Sequence, residues 1–218
     1  MLPIYAVYGA SGFGREVLPV LRETLSHFNI AFEKLVFIDD GANYKEVNGY
    51  RVCSYKEFLS FEASSKHVAL AIANSKIREK LTARCQLDKV ELLSVKANNV
   101  IVMDDVSMGA GTILCPFVTL TSNICIGKQF HANIYSYVAH DCVIGDYVTF
   151  APGVKCNGNV HIEDHAYIGT GAIIKQGESG NPLVIGEGAV IGMGAVVTKD
   201  VPPNTTVIGN PAQLLIKK

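Results

Sequence analysis

The sequence predicts two architectures in one chain: a small α/β domain with a parallel sheet over residues 1–95, and a parallel β-helix of six-residue turns over residues 96–218. Three observations carry this. Apolar or small residues recur at every sixth position from Val102 to Ile174. The apolar run Ile4–Tyr8 has strand length and leads into a glycine-rich turn, after which apolar residues recur at helical spacing. With 49% hydrophobic and 18% charged residues, the chain is too apolar to stay disordered, and at 218 residues it can bury a sizeable core.

In the front domain, Ile4–Tyr8 reads as a strand, Gly9-Ala10-Ser11-Gly12-Phe13-Gly14 as its turn, and Val17, Leu18, Leu21, Leu25 and Phe28 as one face of a helix. Pro19 reads as a second-turn proline of low cost. A strand, glycine-rich turn and helix start make a Rossmann-like cradle in which bare amides and the positive helix end face an anion. The spacing is G-x-x-G-x-G and not the dinucleotide fingerprint G-x-G-x-x-G. Leu35–Ile38 predicts a second strand ending in Asp39-Asp40, where an acid can bind ribose or pyrimidine groups. Val68–Ile72 predicts a third strand, ending at Ala73-Asn74-Ser75; a helix through Ile77, Leu81 and Cys85 follows, and Val90–Leu93 predicts a fourth strand. Gly9, Ser11, Gly12, Gly14, Asp39, Asp40 and Asn74 are the candidate substrate-binding residues, all in loops at the carboxyl ends of strands.

In the second domain, Val102, Met108, Leu114 and their successors to Ile174 give thirteen consecutive first positions that are apolar or small. The second position is often Gly or Ala, and the fifth is small or β-branched, as in Val106, Thr112, Val118 and Ile124. An alternating sheet has period two and would not keep a six-residue frame. The frame breaks at Gln176–Pro182 and resumes five residues out of phase at Ile185, Ile191 and Val197, which predicts an external loop. Three hexads make one coil, with the first-position side chain on the axis.

Lys plus Arg number 19 and Asp plus Glu 20, so charge gives no reason to expect nucleic acid or an anionic membrane. The chain has no apolar run of transmembrane length, and Met1–Gly14 lacks a basic n-region. Six cysteines without a C-x-x-C pair read as reduced, mostly buried thiols of a cytoplasmic protein.

The repeat resembles the hexapeptide-repeat acyltransferases. That resemblance implies a left-handed β-helix and a homotrimer with active sites in clefts between neighbouring solenoids; the general crossover rule alone would say right-handed. GASGFG, FIDD, AIAN, SYVAHDCVIGDYV and the closing VIGNPA extend the resemblance over nearly all of the chain, to bacterial nucleotide-sugar and sialic-acid acetyltransferases such as the N-acetyltransferase of bacillosamine synthesis. It implies acetyl-CoA as cosubstrate, no metal, and a nucleotide sugar held by the front domain. A 4-amino-4,6-dideoxy sugar linked to UDP or dTDP is the expected acceptor. Phe13 departs from the histidine often found there, so a polar contact from that position is missing.

His140 matches the catalytic histidine of that subfamily, and Asp141 matches an acid beside it that could set the imidazole's tautomer and raise its basicity. Independently, the coil length places Gly158 one coil from His140 at the same corner, where its amide could serve as oxyanion donor to a thioester carbonyl. Lys175, Lys199 and the tail Lys217-Lys218 are candidates for the CoA phosphates. His131 could line the cleft, whereas His27, His67, His161 and His165 read as surface residues. The four-residue spacing of His161 and His165 does not bring them together on a β-helix for metal binding. A covalent route through Cys142 or Cys156 lacks a helix N-terminus or basic partner to activate the thiol. The rival readings are an O-acetyltransferase of sialic acid or a similar hydroxyl, a non-catalytic β-helix module, and a β-helix nucleotidyltransferase; for the last, only Arg15 supplies a basic residue near the start.

Overall fold

The computed structural model describes residues 1–26 and 34–216, and the chain divides into two compact units, Met1–Ala97 and Asn98–Lys218. His27 and Phe28 lie outside the described residues.

The first unit runs β1 (Ile4–Tyr8), α1 (Gly12–Ser26), β2 (Leu35–Ile38), β3 (Glu46–Val47), β4 (Tyr50–Cys53), α2 (Tyr55–Ser60), β5 (Lys66–Leu70), α3 (Ser75–Leu87) and β6 (Glu91–Leu92). The sheet order is β3-β4-β2-β1-β5-β6, parallel throughout except for the β3–β4 hairpin. Apolar strands buried on both faces are what a covered parallel sheet requires, and Val7, Phe37, Ile38 and Val68 are all essentially buried. α1 turns Val17, Leu18, Leu21 and Leu25 inward, the face its apolar spacing predicts.

β1 and β2 have the bounds predicted from sequence, whereas β5 starts two residues early at Lys66 and ends at Leu70. The β3–β4 hairpin and α2 escaped the sequence reading, although both carry local signals. Asn48 and Gly49 have φ of 51° and 79°, the left-handed pair of a tight hairpin turn. Ser54 and Glu57 form a capping box at the start of α2. Pro19 is a correction: because α1 begins at Gly12, the proline lies in the helix interior and cannot donate to the Arg15 carbonyl.

Arg78 of α3 is fully buried, and its Nη1 donates to the Ile72 and Ala73 carbonyls at 2.6 and 3.3 Å, bracing the turn after β5. Arg78→Ala would strand two carbonyls and is expected to cost about 2–4 kcal/mol, read as a lower unfolding midpoint for the first unit in calorimetry. An unchanged midpoint would show that the turn holds without the brace.

The second unit is a solenoid with three walls of short parallel strands. Within this unit the first strands of the three walls are Ile101–Val102, Val106–Met108 and Ile113–Leu114. Successive coils pair at a spacing of three hexads, as in Thr119 with Tyr137, Tyr137 with Lys155, and Lys155 with Ile173. First-position side chains fill the axis, and Leu120, Phe150, Cys156, Ile168 and Ile174 are fully buried. Met108, in the first coil, is 40% exposed.

The fourth residue of every hexad from Asp105 to Gly171 has positive φ, a regularity the sequence reading did not use. Such a residue turns the chain at each corner, a conformation that Gly, Asn and Asp tolerate best. Where bulky residues take it, they stack on the same corner of the next coil. Phe117 and Tyr135 lie 4.8 Å apart, and Tyr147 and His165 lie 5.1 Å apart, both pairs nearly coplanar.

The predicted insertion is present: Val160 pairs with Leu183, where an unbroken three-hexad period would have set Glu178. The next coil is short, since Val190 pairs with Thr206 and not with Ile208. The missing two residues are at the corner between Val197 and Val201, the same corner that bears the insertion in the preceding coil. An antiparallel strand, Gln213–Leu214 on Val207–Ile208, ends the solenoid. Among the described residues no helix is long and apolar enough to cross a membrane.

Candidate active site

His140 follows the strand Tyr137–Val138, whose register with Lys155–Cys156 sets His140 opposite Gly158 on the next coil. His140 Nδ1 is 2.7 Å from Asp141 Oδ2, and both side chains are about half exposed. Asp141 occupies the left-handed corner position at φ 59°, and Asn123, one coil away, donates to its other oxygen at 3.0 Å. The hydrogen bonds from His140 and Asn123 hold the Asp141 carboxyl below its ordinary pKa. The acid thus stays ionised and fixes the imidazole from one side.

The imidazole lies over Gly158. A Cβ at residue 158 would stand 2.5 Å from His140 Cε1 and 2.6 Å from Nε2, so only glycine leaves room for this ring position. Gly158 is a third-position residue, whose amide points outward in this fold. At another corner, the equivalent amides of Lys128 and Asp146 donate to the carboxylates of Asp146 and Asp164 at 2.9 and 2.7 Å. The same orientation at Gly158 supplies an outward donor suited to an anionic oxygen.

The inserted segment springs from this corner. Gly177 donates to the Gly158 carbonyl at 3.0 Å, and the Glu178–Asn181 bridge closes a small hairpin. Lys175 and Lys199 line one cavity of about 150 Å³ beside it, with Glu178 and Asp200. The shortened corner after Val197 leaves Asp200 to accept from Val184 at 2.9 Å. Lys217 and Lys218 lie outside the described residues.

Two residues beneath the corner, Tyr137 and Asn157, were missed by sequence reasoning, and Cys142, weighed there only as a nucleophile, packs beside them. Tyr137 Oη donates to Asn157 Oδ1 at 2.9 Å, and Asn157 Nδ2 donates to the Ile174 carbonyl at 2.7 Å. Cys142 Sγ lies 3.2 Å from the Asn157 carbonyl. Cys156, with which Cys142 is hydrogen-bonded, is pushed well above the ordinary thiol pKa by that bond and by burial. Reading the chain at the three-hexad coil spacing would have placed Tyr137 and Asn157 near His140, but their bonds depend on rotamers.

The other histidines separate. His131, expected on the exterior, is fully buried and in register between Ile113 and Thr149. His67 is also largely buried rather than a surface residue, stacked on Tyr5 and 2.7 Å from Ser65 Oγ. His161 is half-buried, as is His165 against Tyr147. Among the described residues no group of three or more His, Cys, Asp or Glu could hold a metal ion.

In the first unit, the candidate substrate-binding residues gather at the carboxyl ends of β2, β1 and β5, where Tyr8 is level with Ile38 and Leu70. Gly9 has φ 104° and fits against the Ala71 carbonyl, and a Cβ on Gly14 would strike the Gly9 carbonyl, so both glycines serve close backbone approach. Gly12 opens α1 with no atom near its Cβ position, and it is exposed together with Ser11. Asp39 accepts from the Ala10 and Gly41 amides, each at 3.0 Å, which staples the glycine-rich turn to the end of β2. Asp40 accepts from Tyr8 Oη and, at 2.8 Å, from the Tyr55 amide. Burial and then that Asp40 bond raise the Tyr8 pKa. Asn74 caps α3 through Ile77 N at 3.0 Å and leaves its amide nitrogen outward. Phe13 is half-buried.

Residues 5–85 match the family described as the PglD N-terminal domain. The chain is 52% identical to the GDP-perosamine N-acetyltransferase of Escherichia coli O157:H7, over 96% of this chain and 95% of that protein. Its structure matches WeeI from Acinetobacter baumannii AYE with a TM-score of 0.96 at 60% identity, covering 98% of this chain and all of the other. It also matches the acetyltransferase domain of PglB from Neisseria gonorrhoeae FA1090 in complex with acetyl coenzyme A, with a TM-score of 0.84 at 28% identity, over 97% and 98% of the two chains. The solenoid is accordingly a left-handed parallel β-helix.

Proposed function

The chain belongs to the hexapeptide-repeat family of nucleotide-sugar N-acetyltransferases, and from that membership we propose that it moves the acetyl group of acetyl-CoA onto the amine of a nucleotide-linked amino sugar in bacterial glycan biosynthesis. The observation that carries the reading is the His140 imidazole, hydrogen-bonded to Asp141 at 2.7 Å and lying over Gly158.

The neutral amine attacks the thioester carbonyl carbon, forming the C–N bond. His140 Nε2 takes the amine proton, with Asp141 holding Nδ1 and stabilising the charged ring. The Gly158 amide donates to the oxyanion. The tetrahedral intermediate collapses by breaking the C–S bond, and the departing sulfur takes the proton back from the ring, releasing CoA. Lys175 and Lys199 are the proposed partners of the CoA phosphates, a reading supported by their shared place in the lining of the cavity beside the inserted hairpin. In the first unit, Ser11, Gly12 and the outward amide of Asn74 are the open groups for the nucleotide. Asp39 and Asp40 shape its floor and retain acceptor capacity, because a carboxylate has about four lone-pair sites. The reading includes a cytoplasmic homotrimer with acetyl-CoA between neighbouring solenoids, an assembly that would cover exposed apolar side chains such as Tyr167, Val190 and Met193.

The test is thiol release from acetyl-CoA with GDP-, UDP- and dTDP-linked 4-amino sugars beside free sialic acid. The 52% identical relative is named for a GDP-linked substrate, which makes GDP the first nucleotide to try. Rapid turnover is expected with one nucleotide-linked amino sugar. Turnover with sialic acid alone would move the chain to O-acetylation, and inertness with every acceptor would leave the solenoid as a binding module.

A further inference from the structure

The Asn157–Gly158 peptide has its amide on the outer face of the catalytic corner and its carbonyl among buried thiols. Cys142, 1% exposed, places Sγ 3.2 Å from the Asn157 carbonyl and 3.6 Å from that of His140. One side chain therefore touches the backbone of both the base and the proposed oxyanion donor.

The Cys142 thiol donates to the Asn157 carbonyl from a buried position one coil away. The contact ties Asn157 to the segment that follows His140. A peptide whose carbonyl accepts a hydrogen bond is polarised, and its own N–H becomes the stronger donor.

Resting on Gly158 as the oxyanion donor, we propose that Cys142 is a positioning residue: by donating to the Asn157 carbonyl, its thiol sets the plane of the Asn157–Gly158 peptide and strengthens that N–H toward the thioester carbonyl. The thiol stays buried and forms no bond with the acetyl group.

The test compares Cys142→Val, which fills the space without a donor, with Cys142→Ser, which keeps a donor, in the full chain. The probe is acetyl-CoA carrying ¹³C at the carbonyl, read by difference infrared spectroscopy when bound and alongside steady-state kinetics. In the unaltered protein the bound carbonyl stretch should move to lower frequency than in free acetyl-CoA. In Cys142→Val that shift should shrink and kcat fall about tenfold, a donor weakened but not removed, with the KM for acetyl-CoA little changed. Cys142→Ser should keep most of both. Should Cys142→Val fail to fold, Cys142→Ala provides the same comparison. A full shift with unchanged kcat in the donor-less variant overturns the role of Cys142. No shift in the unaltered protein overturns Gly158 as oxyanion donor, a distinct result.

Discussion

His140→Ala is expected to lower kcat by about 10²–10⁴-fold, the usual worth of a positioned general base, with nucleotide-sugar affinity little changed. The affinity should survive because the candidate nucleotide groups, Ser11, Gly12 and Asn74, belong to the first unit, whereas His140 is on a solenoid corner. Folding should survive too, since the imidazole is about half exposed and contributes little to the axis core. Thiol release measures the first quantity, and calorimetric titration with the nucleotide sugar measures the second. Unchanged turnover would remove His140 from the mechanism. Because the Asp141 carboxyl is held below its ordinary pKa by His140 and Asn123, it is already ionised at neutral pH and remains so in mild acid.

Gly158→Ala carries the second large effect, and its cause is steric. The added Cβ would stand 2.5–2.6 Å from His140 Cε1 and Nε2, closer than real contacts allow, so the ring must turn away. Gly158 does not have a left-handed φ, so its backbone accepts alanine. The variant should fold with an unchanged midpoint and lose roughly 100-fold in kcat, the scale of a misplacement of about 1 Å at a reacting group. It keeps the amide donor, so the loss would report the place of the base and not the oxyanion contact. Full activity would mean that the imidazole has a second productive position.

Much of this was legible along the chain because both units repeat a simple period. A solenoid coil presents the same wall every three hexads, so the neighbour of His140 across coils can be counted to Gly158 without coordinates. The strand–turn–helix entry of the first unit was legible from apolar runs and glycines. Counting fails where geometry departs from the period. The two-residue shortening after Val197 is too near the end of the repeat to register against the noise of single hexads, yet it borders the inserted hairpin. Asp39 and Asp40 looked like free ligand groups because a sequence shows charge and not partners; folded, each accepts bonds that hold the turn together. His131 looked able to line the cleft for the same reason, and it is buried.

The two-part architecture, the three-hexad coil, the place of the insertion and the pairing of His140 with Gly158 can be read along the chain, because each follows from a periodic burial of apolar side chains. The coordinates were needed to show that the ring lies over Gly158, that Asn123 steadies Asp141 from another coil, and that the Cys142 thiol meets the Asn157 carbonyl. Those contacts join residues far apart in the chain through particular rotamers and hydrogen-bond angles, and no periodicity encodes a rotamer.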